Sequence, residues 1–239
     1  MMLVPYTVAI LAVLIGVGTI GAFTVFIYIG SFHFIVLPLE NSEILALDAG
    51  LAALFFIQHS VMVRPWFKEQ LLKVVPAAYY GAVFSISSGM ALLALVILWQ
   101  GSASTIVSID GVWRLVLRGA FFLVLFLQTW ALWTLKAVDL FGNQALVARR
   151  DVALNTEGGT ILMVGAYGWV RHPIYSTSIL LLWCYPDLTV DRLLLNSMFT
   201  IWIVVGAVLE ERDLVGIYGD QYRNYQRMVP MLVPYRKQR

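Results

Sequence analysis

The sequence predicts an all-α protein, a polytopic transmembrane helix bundle. Three observations predict it. Apolar residues make up 60% of the 239 and charged residues 13%, against about 45–50% and about 25% in soluble domains; mean hydropathy is +0.82. The apolar residues form runs long enough to cross a bilayer, which takes about 20 residues per helix. Thirteen of the 16 Lys and Arg residues lie in alternate connections and in the tail, hence on one face. The expected architecture has five to six membrane segments, the last two a helix-turn-helix hairpin, followed by a cytoplasmic amphipathic C-terminal helix. It is read as a single domain over 1–239, with a four-helix part over 1–135 and a second part over 136–239.

The first span runs from about Tyr6 to Gly30. Inside it, Gly16-Val17-Gly18-Thr19-Ile20-Gly21 matches the dinucleotide pattern GxGxxG. That fingerprint needs a preceding strand, and apolar helix lies on both sides here. Small residues for close helix packing are the better account. His33 follows near the membrane edge. Asn41-Ser42-Glu43 signals a helix start, and the second span runs from about Ile44 to Val63. It ends in QHSVMVRPWFK, where Gln58, His59 and Ser60 are consecutive and polar. A helix points three such residues in different directions, so at least one faces the bundle interior or the headgroups. The third span, about Ala77 to Trp99, carries Ser85, Ser87, Ser88 and Gly89, which suit tight packing. The fourth covers about Val112 to Leu135. The connection Lys136 to His172 is too polar to span and long for an idle loop. The hairpin follows, with a first arm from Pro173 to Tyr185, a turn at Pro186-Asp187 and an apolar second arm to Leu209. The first arm is short for a full crossing.

Charge then gives orientation. With a cytoplasmic N-terminus, the long connection, the RHPIY stretch, EERDL and the tail share the inner face. The N-terminus MMLVPY lacks a basic region, and its apolar run is too long for a cleavable signal core. In the tail, Leu214, Ile217, Tyr218, Gln221, Tyr222, Tyr225 and Met228 recur at helical spacing, and Pro230 and Pro234 end the pattern. This reads as an interfacial helix on the lipid headgroups or a lid over an inner-face pocket.

The residue inventory excludes several chemistries. Net charge is +2 with no basic stripe, which argues against nucleic acid. Cys184 is the single cysteine and reads as a small buried side chain. Three His and one Cys without metal-ligand spacing predict no metal centre. No nucleophile elbow or P-loop occurs. What remains is polar and gathered on the inner face: Tyr167, Arg171, His172, Tyr175, Glu210 and Glu211. Pro173 fits the first turn of a helix, placing His172 near its N-cap, where free backbone N–H groups favour a carboxylate. A ligand with a carboxylate, an amine, a ribose diol and an aromatic base suits this set. S-adenosylmethionine is such a ligand.

GAYGWVRHPIY (Gly165 to Tyr175), a helical hairpin, and then EERDLVGIYGDQYRNYQRMVPMLVP (Glu210 to Pro234) resemble the C-terminal half of the isoprenylcysteine carboxyl methyltransferase-like membrane methyltransferases. The upstream stretches QHSVMVRPWFK and DLFG make the chain most similar to the methanethiol S-methyltransferase branch. The resemblance covers most of the chain from Gln58 onward. It implies S-adenosyl-L-methionine as methyl donor and methanethiol as a small thiol acceptor, giving dimethyl sulfide. It also implies an integral protein of a bacterial inner membrane with both termini cytoplasmic. His172, Tyr175 and Glu210 would bind the donor, with Glu211, Tyr167 and Arg171 beside them; for Arg171 a headgroup anchor is an equal reading. Residues 136–239 would then be the donor-binding part. Two positions depart from the branch pattern: Ala137-Val138 before DLFG, where the branch has a His-Phe pair, and Ala77-Ala78-Tyr79 at the third span, where it has an Arg-containing segment. Both bear on the acceptor rather than the donor.

The expected chemistry is in-line displacement at a sulfonium methyl group, which rests chiefly on positioning. A thiolate attacks well, but burial opposes its formation. His59 and Asp139 are the candidate bases, and Gln58, Ser60 and Arg64 candidates for the acceptor side. Three rivals stay open at this point: carboxyl methylation of a prenylcysteine or lipid-like acid, a non-enzymatic protein of nitrogen-oxide respiration, and a transporter. Neither internal repeats nor mid-span charges favour the last.

Overall fold

The computed structural model describes residues 3–134 and 165–235. Eight α-helices occur among them, and five are long and apolar enough to cross a membrane. This is the integral membrane bundle that the composition predicts. Helix α1 spans Leu3–Ile29 and stops at Gly30, whose φ of +103° only glycine adopts without strain. Helix α2 spans Asn41–Met62. Its start is fixed one residue earlier than the Asn-Ser-Glu signal suggests: Glu43 Oε2 accepts from the Glu40 N–H at 2.9 Å, satisfying a donor the helix cannot. Arg64 precedes a proline and is extended, so α2 ends and the short α3, Pro65–Leu71, begins with its proline at the first turn. Helix α4 covers Tyr80–Leu98 after a single tight turn at Ala77–Tyr79. Helix α5 is Gly111–Thr134, α6 Pro173–Trp183, α7 Val190–Tyr218 and α8 Asp220–Met228.

The chain forms two compact units, residues 3–104 with 190–195, and residues 105–134, 165–189 and 196–235. In the first, α1 and α2 pack on α4. Ala9, Ala12 and Ala82 make the buried seam between α1 and α4. The close approach falls at Gly89, where a Cβ would lie 2.8 Å from Ile15 Cγ2. Gly16 is buried in α1, whereas Gly18 and Gly21 face open space. Close packing by small residues thus falls at Gly89 of α4 and at Ala9, Ala12 and Ala82, and of the three glycines of the GxGxxG match only Gly16 is buried.

A buried polar cluster closes one end of this unit. Gln100 donates its backbone N–H to Asp48 Oδ1 at 3.0 Å, and the Trp99 indole donates to Asp191 Oδ2 at 3.1 Å. Arg192 Nη2 donates to the Phe26 carbonyl at 2.7 Å. The Gln100 side chain ties down the loop after α1, donating to Ile35 and accepting from Leu37.

In the second unit α5 packs on α6. Strands β1, Thr105–Ser108, and β2, Asp187–Thr189, pair antiparallel, with Ser108 opposite Asp187. Arg114 clamps Asp187 bidentately at 2.8 and 2.5 Å. That guanidinium bond holds the Asp187 carboxyl below the usual carboxylate range. Helix α6 has 11 residues, about 16 Å of rise, roughly half the hydrocarbon thickness. Strand β2 lies between α6 and the start of α7 at Val190. At the other end, Gly219 with φ +55° breaks the long amphipathic pattern into α7 and α8. Tyr222, Tyr225 and Val229 then bury themselves against Leu214, Val215 and Tyr218.

Candidate active site

The site belongs to the second unit and begins with a loop. Gly165 has φ +55°, and a Cβ there would lie 2.9 Å from Thr134 Cγ2. The loop thus starts flush against the end of α5. After the turn Gly165–Gly168 it reaches Arg171 and His172, and His172 caps α6 with Pro173 at the first helical turn. Across from it, one stretch of α7 presents Glu210 and Glu211. Consecutive residues on a helix point about 100° apart, and the two carboxylates have different partners apart from His172, which reaches both.

Glu211 faces inward and is 8% exposed. Arg171 grips it bidentately, Nε to Oε1 at 2.6 Å and Nη2 to Oε2 at 3.0 Å. The Gln226 side chain donates to the same Oε2 at 2.8 Å, and His172 Nε2 lies 3.2 Å from Oε1. Glu210 faces outward, with its side chain 47% exposed. Its Oε2 accepts from the Tyr175 hydroxyl at 2.8 Å and lies 3.8 Å from His172 Nδ1. The His172 and Tyr175 rings stack, with centroids 5.2 Å apart and planes 4° from parallel. His172 is 7% exposed, so stacking and hydrogen bonds fix the imidazole.

The C-terminal segment completes the cluster. Pro230 and Met231 carbonyls accept the backbone N–H groups of Arg171 and His172, at 2.8 and 3.1 Å. Ser176 donates to the Leu232 carbonyl at 2.7 Å. The Tyr225 hydroxyl donates to the Tyr167 carbonyl at 2.6 Å. Burial pushes the Tyr225 phenol up to about 12. Burial first, and the Glu210 charge second, push the Tyr167 phenol up as well. Both are neutral hydrogen-bonding groups at ordinary pH.

All six donor-side candidates therefore gather in one place: Tyr167, Arg171, His172, Tyr175, Glu210 and Glu211. The acceptor-side candidates lie in the first unit. Gln58 Nε2 donates to Met62 Sδ, Ser87 Oγ and Ser88 Oγ at 3.0, 3.2 and 3.3 Å, joining α2 to α4. The His59 ring lies between Phe55 and Phe84, at 5.5 and 5.0 Å between centroids. Ser60 is part-buried on the last turns of α2, and Arg64 caps α3. Asp139 lies outside the described residues. Among the described residues no group of three His, Cys, Asp or Glu could hold a metal.

Comparison with known proteins decides the family. The chain is 37% identical over 199 residues to the methanethiol S-methyltransferase of Pseudomonas deceptionensis, covering 80% of this chain and 72% of that one. It is 32% identical over 235 residues to methanethiol S-methyltransferase 2 of Bradyrhizobium diazoefficiens, covering 97% and 88%. The chain belongs to the methanethiol S-methyltransferase family. It is also 27% identical over 182 residues to Nurim of Xenopus laevis, covering 71% of this chain and 62% of that one. No family model matches the chain, and no solved structure does.

As a member of this family the protein is a membrane methyltransferase, and it requires a methyl donor. Its sequence did not single out four of the residues that build the cluster. Gln226 sits 15 positions beyond Glu211 and reaches it because Gly219 turns the chain. Ser176, Met231 and Leu232 act through hydroxyl and backbone groups, which carry no residue-type signature. Ser87 and Ser88 read as small packing residues, yet they are also partners of Gln58.

Proposed function

We propose that the protein transfers a methyl group from S-adenosylmethionine to a small thiol at the cytoplasmic side of a bacterial inner membrane. Methanethiol is the acceptor that its relatives' names point to, with dimethyl sulfide as product. The observation that carries the donor assignment is the division of labour between two neighbouring carboxylates. Glu211 is neutralised by Arg171, whereas Glu210 keeps about half its surface open and, among the described residues, one oxygen without a hydrogen-bond partner.

The donor set fits the ligand. Glu210 would take its ammonium or ribose hydroxyls. The first-turn N–H groups of α6 suit its carboxylate. The stacked pair of His172 and Tyr175 is a flat, partly apolar wall for its base. S-adenosylmethionine, when bound, supplies a methyl group activated on a positive sulfonium. The protein's share is orientation and exclusion of water. Gln58, Ser60 and Arg64 are proposed to line the acceptor side, and His59 or Asp139 to take the thiol proton.

The excess of Lys and Arg in alternate connections supports the cytoplasmic placement. Purified protein given labelled S-adenosylmethionine with methanethiol, longer thiols or a prenylcysteine analogue tests the reading. Label should appear in dimethyl sulfide. Label in the prenylcysteine ester instead would replace the thiol with a carboxylate acceptor.

A further inference from the structure

Arg171 is unusually committed for a residue beside a ligand site. A guanidinium has five N–H groups, and four of them are engaged. One edge holds both oxygens of Glu211. The other end, Nη1, holds the carbonyls of Gln226, at 3.0 Å, and Val229. Those carbonyls belong to the end of α8 and the strap that follows it. The strap then runs across the loop, pairing Pro230 with Arg171, Met231 with His172 and Leu232 with Ser176. The His172 main chain is thus held by the strap, and its ring touches the carboxylate that Arg171 holds. Both constraints on His172 pass through one side chain.

We propose that Arg171 is a positioning residue: it locks the Gln226–Leu232 strap over the loop and so fixes His172 beside Glu210 for the methyl donor. This rests on the donor reading above. It gives the C-terminal strap a definite task and removes Arg171 from the groups that touch the donor. A planar fork is needed, because one cation must satisfy a carboxylate and two carbonyls in different directions. A lysine ammonium can keep the Glu211 pair but cannot span to the strap.

The test compares the parent protein with Arg171→Lys and Gln226→Ala, all full length in detergent. Trypsin cleavage after Arg227, which is exposed on α8, is followed without any methyl donor. KM for S-adenosylmethionine and kcat at saturating donor are measured alongside, with the thermal midpoint. For Arg171→Lys, cleavage should quicken and KM should rise about tenfold, the weight of one charge-assisted hydrogen bond. Its kcat should stay within about twofold and its midpoint within a few degrees. Gln226→Ala, which removes one bond to Glu211, should move the same two readouts about threefold.

Unchanged cleavage in both variants, or unchanged KM in both, overturns the proposal. So does a fall in kcat with the strap still protected, which would put Arg171 on the reacting groups. If Arg171→Lys does not fold, Gln226→Ala decides by the same criteria. The cleavage readout needs no donor, so it stands apart from the donor reading; Glu210→Gln with full donor affinity would defeat that reading alone.

Discussion

Two clusters in this protein bury ionisable groups in an oily bundle, and they differ in what they leave open. In the first unit Asp48, Trp99, Gln100, Asp191 and Arg192 are all buried. Their hydrogen bonds run to one another and to backbone carbonyls, and they tie the loop after α1 to the end of α4. In the second unit Arg171 and Glu211 are similarly enclosed, but Glu210 beside them is half exposed. Buried charge costs several kcal/mol per ion unless paired and hydrogen-bonded. The Arg171–Glu211 pair meets that condition; in the first unit one oxygen of Asp48 accepts from the Gln100 N–H, and the other is buried without a hydrogen-bond partner among the described residues. The difference is the unspent carboxylate. A closed network holds helices together, whereas a network with one acidic group turned outward can also hold a ligand.

Mutations can separate the two. Glu210→Ala should weaken S-adenosylmethionine binding about 100-fold by calorimetry, the loss of one hydrogen-bonded charge, and leave the thermal midpoint near the parent value. Asp48→Ala should do the reverse. It strands the buried Gln100 N–H, at about 1–3 kcal/mol of stability, while donor affinity stays within about twofold. Equal effects of both on affinity would erase the distinction.

Smaller changes sharpen it. His172→Ala removes the ring stacked on Tyr175 and should weaken donor binding about tenfold. Tyr175→Phe keeps the stack and loses only the hydrogen bond to Glu210, so about threefold is expected. Tyr225→Phe should leave affinity nearly unchanged and cost about 1 kcal/mol, by denying the Tyr167 carbonyl its donor. Its pH signature is distinct. The folded phenol titrates near 12 and an unfolded one near 10. The folded state therefore holds the proton longer, and this contribution to stability, complete below about pH 10, is lost as pH rises through the folded value. Thermal midpoints measured from pH 8 to 11 should fall less steeply in the variant.

Much of the architecture was legible in the sequence because its signals are local. Apolar runs delimit the first four spans to within a few residues, whereas α7 continues past the expected end at Leu209 to Tyr218; the Pro after His172 marks the start of α6. The six residues of the second unit's polar cluster were legible too, as polar motifs in a greasy chain. Their pairing was not. Arg171 and Glu211 are 40 positions apart, and the sequence is equally consistent with either one meeting a ligand directly. The closed cluster was invisible for the same reason: Asp48 and Gln100 are 52 positions apart and Trp99 and Asp191 are 92. Gly219 and the two short strands also escaped, since one glycine inside an amphipathic run and segments of three and four residues carry too little periodicity to register.

Strand β2 carries a cost that its brevity hides. An extended segment cannot satisfy its own amide groups as a helix does. Three residues of this chain therefore depend on strand β1, Thr105–Ser108, whose register supplies the missing backbone partners, while Arg114 holds the Asp187 carboxylate. A connection that an engineer would shorten or replace is thus what pairs with the hairpin's extended turn. Proline at Val107 would subtract a ladder donor there and loosen the far end of the bundle from a position remote in sequence from any chemistry.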